Sequence, residues 1–271
     1  MGALLISVDE LRPLIGTAHA PRILDVRRPP TYAESDRVLP AAVWRDHTQA
    51  RAWGADLPVG QPVVVYCVHG RNVSQLAAAA LREMGCAARA LAGGIEAWRQ
   101  AGGTTVLKRH QRPQGAEVPS RWVTRIRPKI DRIACPWLIR RFVDPEARFH
   151  FVEPDQVAAV AEELKGVAFD IAGVELSHEG ELCTFDILLR HFELEDPDLL
   201  ALAPIVRGAD TARLDLAPEA AGLLAVSLGN SVLAGGDDHA ALERGFAVYD
   251  ALLAWRRHAS HERHNWPVAA A

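Results

Sequence analysis

The sequence predicts an α/β fold: a parallel sheet flanked by helices, followed by a second, mainly helical α+β domain. Three observations carry this reading. Val63-Val64-Val65-Tyr66 is an uncharged run, β-branched at three positions, of the kind found in a parallel strand buried on both faces. Strand-like and helix-like segments alternate through the first hundred or so positions, which calls for crossover connections and parallel pairing. After a stretch rich in Gly, Pro and polar residues, between Gly102 and Ser120, helical periodicity takes over.

Residues 7–14 read as the end of a first strand and a short helix capped by Ser7 or Asp9. Residues 22–26 form a second strand. From Pro29 to Leu57 the polar and aromatic residues, Trp44 and Trp53 among them, show little periodicity and imply loops and short helices. The strand at 63–66 delivers Cys67 to its carboxyl end. Gly70 then permits a tight turn, and residues 74–84 are strong helix formers that stop at Gly85. Residues 88–92 form the next strand and 95–101 a short helix.

These elements set the first domain at 1–103, a linker at 104–120 and the second domain at 121–260. In the second domain, residues 122–126 read as a strand and 131–142 as a helix with Pro136 near its first turn. A strand at 148–152, a helix at 155–165 capped by Asp155 and stopped at Gly166, and a strand at 167–171 follow. The remainder is helical, at 184–192, 197–206, 218–234 and 238–258. In the last helix Leu242, Phe246, Tyr249, Leu252 and Leu253 recur at helical spacing. Residues after His258 read as a loose tail.

At 271 residues with 49% hydrophobic content, the chain can build two cores. A net charge of −4 gives no general case for nucleic acid or membrane as partner. Cys67, Cys86, Cys135 and Cys183 are widely spaced with no C-x-x-C pair, which fits a reducing compartment and argues against a disulfide scaffold. The first ten residues lack a basic n-region and a small-residue cleavage site, so a cytoplasmic location is expected. No apolar run approaches the roughly 18–20 residues that span a bilayer.

Cys67 is the first functional candidate. A cysteine between a buried strand and a helix start faces unpaired backbone N–H groups and the positive end of the helix dipole, which favour thiolate and attract anions. Arg71 and His69 add positive charge. Position 73 is Val, so a phosphatase-type Cys-x5-Arg loop is excluded. Ile23-Leu24-Asp25-Val26-Arg27, the Cys67 loop and Gly93-Gly94-Ile95-Glu96-Ala97-Trp98 together resemble, in order, the signatures of the rhodanese (sulfurtransferase) domain. The resemblance implies a rhodanese-like parallel sheet in which Cys67 carries sulfane sulfur as a persulfide. The loop of Val68, His69, Gly70, Arg71, Asn72 and Val73 would then bind the anionic donor.

The second domain resembles the carboxyl-terminal domain of the chromate-resistance ChrB-type proteins. The matching stretches are Asp131-Arg132-Ile133-Ala134-Cys135-Pro136-Trp137-Leu138-Ile139-Arg140-Arg141-Phe142, Ser177 through Asp186, Ile205 through Asp210, and Pro218 through Leu223. That resemblance implies a link to chromate tolerance through regulation or detoxification.

Two features of the second domain invite chemistry. His178, Cys183 and Asp186 lie within nine positions, with Asp131 and Asp210 available elsewhere, and these residue types ligate zinc or another divalent first-row metal. An equally simple reading makes Asp186 a helix cap, Cys183 core and His178 a surface residue. Between Lys108 and Arg141, ten basic residues stand against two acids, Glu117 and Asp131. Such an excess suits an oxyanion such as chromate, a sulfur donor such as thiosulfate, or a nucleic acid backbone, and equally a charged helix face beside a solvated linker. With no helix-turn-helix or zinc-finger pattern, base-specific reading of DNA is not expected.

The expected function is therefore sulfur transfer through Cys67, from a small anionic donor to an acceptor thiol, tied to chromate tolerance. No cofactor is required for that chemistry. An internal relay to Cys135 or Cys183 is conceivable. The alternatives are a chromate-responsive regulator built on a degenerate rhodanese domain, and a metal-dependent redox protein acting through the second domain.

Overall fold

A computed structural model describes residues 3–58, 60–108 and 119–262. In the first half β1 (Leu5–Ile6) leads to α1 (Val8–Leu11), whose cap is reciprocal: the Glu10 amide donates to the Ser7 hydroxyl, and the Ser7 amide to the Glu10 carboxylate. Next come β2 (Arg22–Asp25), α2 (Pro29–Glu34), β3 (Arg37–Val38), β4 (Val43–Trp44) and α3 (Ala50–Gly54). The series continues with β5 (Val63–Tyr66), α4 (Asn72–Glu83), β6 (Ala88–Leu91), α5 (Gly94–Gln100) and β7 (Val106–Leu107). Five of these strands form one parallel sheet in the order β1-β6-β5-β2-β4, with β5 at its centre.

Alternation along β5 decides what each face of the sheet does. Val64 and Tyr66 point into a large core, whereas Val63, Val65 and Cys67 pack on the opposite face with Ala77, Ala78 and Leu81 of α4. The Asp-Val-Arg stretch is structural. Asp25, wholly buried, accepts hydrogen bonds from Arg27 Nε at 2.9 Å, Arg27 Nη2 at 2.6 Å and the Tyr66 hydroxyl at 2.8 Å. Tyr66 in turn accepts from the Leu39 amide, so the pair ties β2, β5 and the turn before β4 together.

The second half holds a parallel three-stranded sheet, β10-β8-β9, from β8 (Arg121–Arg125), β9 (Arg148–Val152) and β10 (Val167–Ala168). Its helices are α6 (Asp131–Leu138), α7 (Val157–Glu163), α8 (Thr184–His191), α9 (Pro197–Asp210), α10 (Ala220–Leu233) and α11 (Asp238–His258). The helix expected over 131–142 is divided. Pro136 cannot donate to the preceding turn, and the chain passes from α6 into a π-helical turn at Ile139–Val143. The strand expected over 167–171 stops at Ala168, because Asp170 adopts φ +52 and turns the backbone. Helix α7 begins after Gln156, which has no side-chain cap bond, rather than at a capping Asp155.

The stretch expected to be linker from position 104 starts as ordered structure. Val106 and Leu107 are buried and pair antiparallel with β3, and the Leu107 amide donates to the Phe192 carbonyl. Residues 109–118 of that stretch lie outside the described residues. The two halves share one apolar core that runs from Ile6, Tyr66 and Trp98 to Trp122, Trp137, Phe142 and Tyr249. Gly16 sits against the Phe142 ring so closely that a Cβ there would lie 2.1 Å from it. The Ala41 amide bonds the Phe142 carbonyl, and Arg257 bonds the Ile15 carbonyl. Among the described residues no helix is long and apolar enough to cross a membrane.

Candidate functional site

Cys67 leaves the carboxyl end of the central strand, where ligands gather in open parallel sheets. The residue is 7% exposed, and its sulfur lies 3.2 Å from the Ser74 hydroxyl. The following loop is clamped from below by the Gly-Gly pair. The amides of Ile95 and Glu96, at the start of α5, donate to the carbonyls of Cys67 and Val68 at 3.0 and 3.1 Å. Gly70 and Gly94 face each other at φ +62 and +61. A Cβ on Gly94 would fall 2.3 Å from the Cys67 carbonyl oxygen, and one on Gly70 2.3 Å from that of Leu91. Only glycine permits this approach of the two backbones.

The Cys67 and Val68 carbonyls turn to α5, and those of Gly70 and Arg71 to the first turns of α4. Among the described residues, the amides from Val68 to Ser74 donate to no protein acceptor. Gln75 spans the loop by donating its side-chain amide to the Gly70 carbonyl. His69, Arg71 and Asn72 are exposed, while Val68 and Val73 are half-buried. The structure thus brings the sequence-predicted residues into one loop around Cys67. It adds Ser74, which the sequence presented only as part of a helix.

A second cluster lies in the other half. His178 Nε2 is 3.2 Å from Asp131 Oδ2, 3.4 Å from Asp170 Oδ1 and 3.3 Å from Asp210 Oδ2. These carboxylates come from the start of α6, the turn after β10 and the end of α9. Thr184, the first residue of α8, holds two of them, its amide on Asp131 and its hydroxyl on Asp170. Arg125 and Arg132 pair with the other oxygen of Asp170. The hydrogen bond to Asp131, reinforced by the surrounding negative charge, raises the His178 imidazole to about 9. Burial, with Asp131 beside it, raises the Asp210 carboxyl to about 7.

The expected trio of His178, Cys183 and Asp186 is not what converges. Asp186 Oδ2 accepts from the Cys183 amide and thiol as the cap of α8, and Asp186 Oδ1 accepts from Arg207. Asp131 and Asp210 take their places around the imidazole. Asp170 is the member that sequence reasoning missed, since only its unusual backbone turn marks it and no local pattern reports that. Four of the ten basic residues of that stretch are ion-paired inside the fold: Arg125 and Arg132 on Asp170, Arg140 on Glu243 and Arg141 on Asp250.

Residues 7–101 match the family model of the rhodanese-like domain, and residues 122–256 that of the ChrB C-terminal domain. The chain joins a rhodanese-like domain to a ChrB C-terminal domain. Protein ChrB of Cupriavidus metallidurans is 37% identical over 132 residues, which are 48% of this chain and 39% of that protein. The chain therefore spans about two fifths of the length of that curated relative. Among solved structures, a rhodanese-related protein from Thermoplasma volcanium is 24% identical, covering 39% of this chain and all of its own, with a TM-score of 0.35. A protein of unknown function from Rhodopseudomonas palustris, described as a possible tyrosine phosphatase, is 25% identical over 36% of this chain and 81% of its own, with a TM-score of 0.32. The Cys67 loop belongs to the rhodanese-like domain and the His178 cluster to the ChrB domain.

Proposed function

We propose that this protein is a sulfurtransferase that carries sulfane sulfur as a persulfide on Cys67 and acts in chromate tolerance. The observation that carries the reading is a thiol at the mouth of the central strand, followed by a run of amides with no acceptor among the described residues. Such a loop stabilises negative charge beside the sulfur. With thiosulfate as donor, the Cys67 thiolate attacks the outer, sulfane sulfur. The S–S bond of the donor breaks with its electron pair leaving on sulfite, and a Cys67 persulfide anion remains. An acceptor thiolate then attacks the outer sulfur of that persulfide, and the Cys67 thiolate is released.

In this cycle the amides of the loop hold the persulfide anion, and the Ser74 hydroxyl positions the sulfur. Arg71, exposed at the rim, draws the anionic donor in. The acceptor is a thiol from outside the chain. Cys135 and Cys183 are fully buried, and burial with nearby carboxylates pushes both thiols up, so neither offers a reachable thiolate for an internal relay. Regulation through DNA has less support, because the ion pairs above engage four of the seven basic residues between 121 and 141. The chromate role rests on the likeness of the ChrB domain to Protein ChrB. Steady-state thiosulfate:cyanide transfer by the purified chain, beside Cys67→Ser, tests the reading. Turnover that vanishes in Cys67→Ser supports it, and equal rates in both proteins sink it.

A further inference from the structure

We propose that Asp131, Asp170 and His178 of the ChrB domain bind one divalent first-row metal ion, of the class of Mn2+, Fe2+ or Zn2+, with Asp210 beside them. This does not depend on the sulfur chemistry at Cys67. One imidazole nitrogen stands within 3.4 Å of oxygens from three separate carboxylates. A single N–H donates to only one of them, and the other two carboxylates stand at a ligand-to-ligand distance from the same nitrogen. The spacing has a direct geometric reading. Nitrogen and oxygen ligands about 2.1 Å from a shared ion are about 3.0 Å apart across an octahedral edge and about 3.4 Å apart across a tetrahedral one. The three His–Asp separations, 3.2, 3.4 and 3.3 Å, fall in that interval. The ligand atoms of Asp131, Asp170 and His178 also all lie within 4.8 Å of one another, as one coordination sphere requires.

Asp131 and Asp170 are only 2% and 3% exposed, so two of the donors are buried carboxylates rather than groups of an open surface. The surroundings behave as an outer shell should. Thr184 orients Asp131 and Asp170, and the two arginines fix the far oxygen of Asp170. His178 is 40% exposed, which leaves a way in. The imidazole disfavours Mg2+ and Ca2+, which take oxygen donors, and the carboxylate majority disfavours copper.

The test is titration of the chelator-stripped full chain with Mn2+, followed by loss of the free-ion electron paramagnetic resonance signal. One saturable equivalent per chain is expected, displaced by Zn2+, which stands higher in the affinity order. His178→Ala and Asp131→Asn should each weaken binding roughly a hundredfold, while Asp186→Asn should leave it unchanged. Circular dichroism reports whether each variant is folded. His178 is half-exposed, so its variant stands even if Asp131→Asn unfolds. Absence of a saturable equivalent in the wild type, or full binding by folded His178→Ala, overturns the assignment and leaves a hydrogen-bonded His–Asp network.

Discussion

The Ser74 hydroxyl, 3.2 Å from the Cys67 sulfur, is the nearest side-chain dipole to the proposed persulfide. A hydrogen bond to an anion contributes about 1.5–3 kcal/mol, so Ser74→Ala should lower kcat/KM for thiosulfate by roughly tenfold or more without altering the fold. Steady-state kinetics check this, and an unchanged kcat/KM would remove Ser74 from the site. Gly94 works through space rather than charge. Its Cβ substituent would meet the Cys67 and Val68 carbonyls at 2.3 and 2.4 Å, in a left-handed conformation that costs an L-residue about 1–2 kcal/mol before any clash. Gly94→Ala should lose at least about 2 kcal/mol in urea unfolding and most of its transfer activity together. Loss of one without the other would separate the clamp from the loop it is argued to hold.

At the scale of elements, α8 is where sequence and structure part. Cys183 and Asp186 have a spacing that serves a ligand pair or a capping box equally, and the fold uses it for the cap. Asp186→Ala should therefore cost about 1–2 kcal/mol of stability. Thermal or urea unfolding measures it, and a cost near zero would argue against the cap. The Cys67 loop was legible because its signals are local: a β-branched strand, a glycine at the turn and a run of helix formers. The acidic cluster was only partly legible, because Asp131, Asp170 and Asp210 are far apart in the chain and meet only when β10, α6 and α9 pack. The pairing of β3 with β7 was invisible for the same reason, since two-residue strands leave no periodicity to read.

The whole molecule is held by contacts that cross the boundary the sequence marks. The shared core and the fit of Gly16 on Phe142 join the first hundred residues to the second domain, and the Thr104–Asp196 hydrogen bond ties the stretch between them to α9. Truncating a buried Phe costs about 3–5 kcal/mol, and Phe142→Ala should move the unfolding of both halves together. Tryptophan fluorescence and far-ultraviolet circular dichroism should give one coincident transition, whereas two separated transitions would show the halves to be independent. Such coupling gives the His178 cluster and the Cys67 loop one scaffold, although they sit in different domains.

The claim on which the account turns is that Cys67 carries sulfur. Intact mass of the full chain after thiosulfate treatment, with Cys67→Ser treated in parallel, measures it directly. The account predicts a gain of one sulfur atom on the wild type, removed by cyanide and absent from Cys67→Ser. No gain on the wild type, or the same gain on both proteins, would contradict it.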